Sequence, residues 1–120
     1  MSKRLARTGA SLSILAGVAA ALSLGLRRVE VYGESMEPSL YEGDRLLVAK
    51  IKPRVGDVLV VRDPRAHDRL IIKRLSSLDE DRLYVLGDRP DRSTDSREFG
   101  ALPASLLVGK MLFRYSRRAR

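Results

Sequence analysis

Six short runs rich in Val, Ile, Leu and Tyr, set apart by Gly, Pro and Asp turns, follow one long charge-free stretch. That pattern predicts a mainly β protein: a single compact antiparallel β domain, barrel-like or folded over itself so that few edges stay open, preceded by one N-terminal hydrophobic helix. Length agrees, since 120 residues at 44% hydrophobic side chains have room for one small core and an appendage. The predicted division is an N-terminal membrane anchor over 1–28, a folded domain over 29–116 and a basic tail over 117–120.

Residues 8–26 carry no charge. As a helix, nineteen residues reach ~28 Å at ~1.5 Å per residue, close to the hydrocarbon thickness of a bilayer. The segment therefore reads as a single membrane pass. Because it is rich in Ala, Gly and Ser, two alternatives stay open: a secretory signal cleaved near Ala19-Ala20-Ala21, and a buried amphipathic helix. Lys3, Arg4 and Arg7 outnumber Arg27 and Arg28, which favours an N-terminus in the cytoplasm and a body on the opposite side.

Strands are predicted over 29–32, 45–51, 57–62, 69–75, 82–86 and 107–115. The runs 69–75 and 82–86 flank a short acidic turn and read as a hairpin. Pro38 and Pro103 each suit the start of a short helical turn. Residues 87–100 form a long polar stretch between strands.

The formal charge is +8, but its distribution argues against a nucleic-acid partner. Residues 1–28 hold +5, residues 114–120 hold +4, and the middle of the chain is nearly neutral at −1. Basic ends beside an apolar segment suit a lipid membrane with anionic headgroups. With no cysteine there is no thiol nucleophile or disulfide, and a lone His67 leaves no usual zinc ligand set, so neither a metal nor another cofactor is expected.

Two positions carry the chemistry. Ser35 lies in Gly33-Glu34-Ser35-Met36-Glu37-Pro38, where Pro38 turns the chain just beyond the serine and Gly33 allows close backbone approach. Lys73 lies in the apolar run Leu70-Ile71-Ile72-Lys73-Arg74-Leu75. Desolvation among aliphatic side chains disfavours the ammonium, and a neutral amine can draw a proton from a serine hydroxyl. Each signal alone has a plain structural explanation: a helix-capping serine, and a strand lysine reaching to water.

Combined with the stretch from Gly87 to Gly100, they point further. Ser35-Met36-x-Pro38 followed by Gly43-Asp44, then Gly56-Asp57-Val58 leading to Lys73-Arg74, then Gly87-Asp88 and Ser93-Thr94-Asp95-Ser96-Arg97-x-Phe99-Gly100, stand in one order. The chain thereby resembles the type I signal peptidases and their small relatives, the mitochondrial inner-membrane peptidases and the nickel superoxide dismutase maturation proteases. The resemblance implies that Ser35 is the nucleophile and Lys73 the general base. It further implies that Ser93 orients the lysine amine, that Asp95 and Arg97 brace the loop as an ion pair, and that Gly33 and Asp88 support the site. The implied substrates are precursor proteins bearing N-terminal leader peptides.

Some positions depart from that family. Gly33 stands where certain relatives carry an oxyanion-donating hydroxyl, leaving a backbone N–H, that of Ser35, for this task. Arg89 and Arg92 stand in place of asparagine or small residues, so the loop rim is expected to be unusually basic. The second β region of many bacterial members is missing between Leu75 and Leu86. Three other readings are kept: a protease trimming a nickel superoxide dismutase precursor, a self-cleaving repressor, which has no room here for a DNA-binding head, and an inactive membrane-tethered module that binds extended peptides.

Overall fold

The computed structural model describes residues 2–119, with the side chains of residues 2–11 and 21 outside that description. A helix, α1 (Ser2–Leu24), leads into β1 (Arg27–Glu30), β2 (Arg45–Ala49), β3 (Val58–Asp63), β4 (Ala66–Asp79), β5 (Arg82–Leu86), α2 (Ser96–Phe99), β6 (Leu102–Pro103) and β7 (Leu107–Ser116). All seven strands belong to one sheet in the order β1-β2-β7-β3-β4-β5-β6, every neighbouring pair antiparallel.

The alternation of β3 explains why the sheet folds over itself. Val58 and Val60 enter one apolar cluster with Val31, Met36, Leu40, Leu46, Val48 and Ile72, while Leu59 and Val61 enter a second with Leu75, Leu83, Val85, Leu102 and Leu106. Successive strand residues point to opposite faces, so a strand buried on both faces must have core on each side. The four residues from Val58 to Val61 are at most 4% exposed.

The predicted mainly antiparallel β body is therefore present, with differences in detail. β4 runs well beyond the predicted 69–75, because the hairpin register continues from Arg74–Leu86 out to Asp79–Arg82. β1 starts two residues early, pairing Arg27 with Val48 across β2. Pro38 lies inside, rather than at the start of, a single turn closed by the Leu40 N–H on the Met36 carbonyl at 2.9 Å. Pro103 does precede a short 3₁₀ turn, Ala104–Leu106. Within the polar stretch, α2 and a 3₁₀ turn at Pro90–Arg92 were not anticipated.

The expected membrane pass needs correction. No helix among the described residues is long and apolar enough to cross a membrane. The helix stops at Leu24, whose carbonyl accepts the Lys50 N–H at 2.8 Å, so Leu26 is already outside it. The charge-free helical part, 8–24, then reaches only ~25 Å against a hydrocarbon core of ~30 Å, and its Ala, Gly and Ser content lowers its hydropathy further. The side chains of Lys3, Arg4 and Arg7, on which the orientation expectation rests, lie outside the described residues.

Candidate active site

Ser35 and Lys73 line the same cleft, an open groove of about 540 Å³ walled by β1 on one side and by residues 68–73 of β4 on the other. Val29, Tyr32, Leu70, Ile71 and Ile72 give it apolar walls. Lys73 arrives from β4 and is 4% exposed. Ser35 arrives from the turn after β1, half-buried, with neither its hydroxyl nor its N–H hydrogen-bonded among the described residues.

The lysine amine donates to the Ser93 hydroxyl oxygen at 3.0 Å, and Ser93 in turn donates to Asp95 Oδ2 at 2.7 Å. Asp95 is fully buried and accepts four more donors: the Gly87 N–H at 2.9 Å, the Arg97 backbone N–H at 3.2 Å and two guanidinium nitrogens of Arg97 at 2.9 and 2.6 Å. Burial of Lys73 pushes its pKa below the ordinary lysine value; the Asp95 charge opposes that shift, and the Arg65 charge adds to it. Asp95 itself would be raised by burial. The Arg97 side chain, the Gly87 N–H and the Ser93 hydroxyl outweigh that penalty and hold the carboxyl well below the usual range. A neutral hydroxyl thus stands between the amine and an ion-paired carboxylate.

Gly87 is required by space. A Cβ there would stand 2.2 Å from Ser93 Oγ and 2.8 Å from the Ser35 carbonyl oxygen. The residue is the point at which the Ser93 side chain and the Ser35 backbone come together. Gly33 is required for another reason than the one expected: a Cβ would meet nothing within 4 Å, but φ is +80°, which non-glycine residues rarely adopt.

Asp88 joins the lysine strand to the serine turn. It accepts two bonds from Arg74, at 2.9 and 2.8 Å, and one from the Ser39 hydroxyl at 2.6 Å. Arg74 follows Lys73 on β4 and so points to the other face, where it also donates to the Gly56 carbonyl at 2.7 Å. In the sequence, the one signal of this task is the adjacency of Arg74 to Lys73 in the Lys73-Arg74 motif. Another buried carboxylate, Asp63, carries no such signal in the sequence. It is 0% exposed and is ion-paired to Arg65 and Arg69, the latter lining the groove.

The expectation of an unusually basic loop rim is corrected by the ion pairs around it. Arg89 bridges Glu37 at 2.5 Å and Glu34 at 3.6 Å and lies 3.5 Å from Asp91, while Arg92 lies 3.5 Å from Glu34. The carboxylates that neutralise this rim flank Ser35 in sequence, a pairing that only the folded chain reveals.

The family model for "Signal peptidase, peptidase S26" matches residues 4–83 and 75–116. The chain belongs to that family. Among curated relatives, it is 36% identical over 112 residues to the mitochondrial ATP-independent inner membrane protease subunit 1a of Arabidopsis thaliana, covering 70% of this chain and 67% of the relative. It is 26% identical over 131 residues to the probable signal peptidase I-1 of Synechocystis sp., covering 68% and 67%. The mitochondrial inner membrane protease subunit 2 of Schizosaccharomyces pombe is 27% identical over 119 residues, covering 75% and 66%. The chain thus spans about two thirds of the length of these S26 relatives.

Proposed function

We propose that this S26-family chain is a membrane-associated serine endopeptidase that removes N-terminal leader peptides from precursor proteins, with Ser35 as nucleophile and Lys73 as general base. The observation that carries the reading is the buried Lys73 amine, held by a hydroxyl and opening on the cleft that Ser35 lines. Membrane association rests on the location in the names of the mitochondrial relatives and on the basic residues around the charge-free helix.

An extended substrate would enter between two strand edges. β1 is an outer strand of the sheet, and the β4–β5 pairing begins only at Arg74, so residues 68–73 keep one edge without a ladder partner. A peptide lying there pairs through its main chain and places alternate side chains against the apolar walls. Small side chains on the acyl side are the expected preference.

Ser35 Oγ attacks the scissile carbonyl carbon while the neutral Lys73 Nζ takes its proton. The oxyanion that forms accepts a hydrogen bond from the unpartnered Ser35 N–H. The resulting ammonium gives its proton to the leaving amine, and the C–N bond breaks to leave an acyl ester on Ser35. Water then attacks the ester with Lys73 again accepting a proton, releasing the new carboxyl terminus and restoring the serine. Ser93 orients the amine throughout, and Asp95 with Arg97 fixes Ser93.

The test is cleavage of a leader-bearing precursor by the full chain, read by mass spectrometry. Ser35→Ala and Lys73→Ala should each abolish product formation while leaving the thermal melt cooperative. Undiminished cleavage by either variant would remove the assignment.

A further inference from the structure

The turn that carries Ser35 and the loop that carries Ser93 are joined by a group that proton transfer itself does not use. The Arg89 N–H donates to the Ser35 carbonyl at 2.8 Å. Its guanidinium meanwhile reaches Glu37, two residues after Ser35, at 2.5 Å and Glu34, the residue before it, at 3.6 Å. Arg92, from the same loop, lies 3.5 Å from Glu34.

The geometry points to Arg89 as a positioning residue that sets the orientation of the Ser35 hydroxyl toward the Lys73–Ser93 pair. This rests on Ser35 being the nucleophile. A single backbone bond fixes one point of the turn and leaves rotation about it free. Anchors on both sides of Ser35 remove that rotation: Arg89 Nη1 donates to Glu37 and stands 3.6 Å from Glu34, while its Nε faces Asp91 in its own loop. Ser35 needs such help because it sits outside any ladder, whereas Lys73 is fixed by β4 and Ser93 by Asp95.

The effect belongs to rate rather than to global stability. The Arg89, Glu34 and Glu37 side chains are 38%, 52% and 21% exposed, and ion pairs that open to water contribute little to folding. A misplacement of about an ångström between reacting groups, in contrast, can lower a rate by roughly 10²-fold.

The experiment measures kcat and KM for precursor cleavage, with thermal melts, for the full chain and for Arg89→Gln, Arg89→Lys and Glu37→Arg. Each variant keeps the backbone N–H at position 89. Arg89→Gln and Glu37→Arg should lower kcat by about 10-fold or more, with KM within about twofold and an unchanged melt, and Arg89→Lys, which keeps a cation between Glu34 and Glu37, should regain part of the loss. The proposal is overturned if Arg89→Gln keeps full kcat, if its loss follows a lowered melting temperature, or if Arg89→Lys is no better than Arg89→Gln. Ser35→Ala, run alongside, separates the two levels: an active Ser35→Ala removes the serine mechanism, whereas an inactive Ser35→Ala beside a fully active Arg89→Gln removes only the positioning role.

Discussion

Lys73 donates its 3.0 Å hydrogen bond to Ser93, and Ser93 passes its own hydrogen on to Asp95, so the bonds run in one direction away from the cleft. A neutral amine that donates to Ser93 keeps its lone pair free for the groove side. Had Asp95 faced Lys73 directly, the carboxylate would have favoured the ammonium, the form that cannot act as the proposed base.

With Lys73 neutral as the active form, kcat/KM should rise with pH through the lysine pKa, which burial lowers below its ordinary value of 10.5. Asp95 raises that pKa, so Asp95→Asn should move the ascending limb to lower pH while reducing its plateau, since one carboxamide oxygen replaces the two that Ser93, Gly87 and Arg97 share. A pH–rate series on both proteins checks it; a limb that moves to higher pH contradicts the arrangement.

Burying an amine costs stability. At neutral pH the unfolded chain holds the Lys73 proton more tightly than the folded one, and the penalty fades as pH rises toward the unfolded pKa. Lys73→Met should raise the melting temperature at pH 7, by about 4–8 °C for each kcal/mol relieved, and abolish cleavage. Calorimetry of the two proteins reads this directly.

Gly87→Ala should be nearly inactive. Its Cβ overlaps the Ser93 hydroxyl and presses on the Ser35 carbonyl, forcing apart the two elements that the site requires together. A fall of roughly 10²-fold in kcat is expected, from an ångström-scale displacement. Cleavage at the parent rate would mean that loop and turn separate without consequence.

Asp63 ties the acid limb of stability to the groove wall. Burial would raise its carboxyl, but the Arg65 side chain, the Arg65 N–H and Arg69 hold it well below the ordinary value of 3.8. A depressed carboxyl stabilises the fold above its unfolded pKa and loses that contribution as pH falls. Asp63→Asn should therefore be less stable than the parent at pH 7, with the gap closing below about pH 4; melts across that range test it.

Much of the fold was legible because the apolar runs are short and punctuated by turns, and six of the seven strands were anticipated from them. The two-residue β6 carries no period of its own and exists only because Leu102 pairs with Leu83. Lys73 could be found because a charge among aliphatic residues is conspicuous. Asp63 could not, since an aspartate at a strand end is ordinary until folding buries it, and Asp44 was visible only as part of Gly43-Asp44, not as a buried group: it accepts the Tyr41 and Arg118 N–H groups at 2.9 and 2.7 Å, from segments far apart in the chain. The helix was visible but its end was not, because Lys50 closes it from across the fold.

The most direct measurement is covalent labelling of the full chain by a serine-directed acylating reagent, with the modified residue located by mass spectrometry across a range of pH. One acyl group on Ser35 is expected, formed faster as pH rises, absent in Ser35→Ala and strongly slowed in Lys73→Met. A parent protein that takes no label, or one in which Lys73→Met is labelled at the same rate, would contradict a Ser35–Lys73 mechanism.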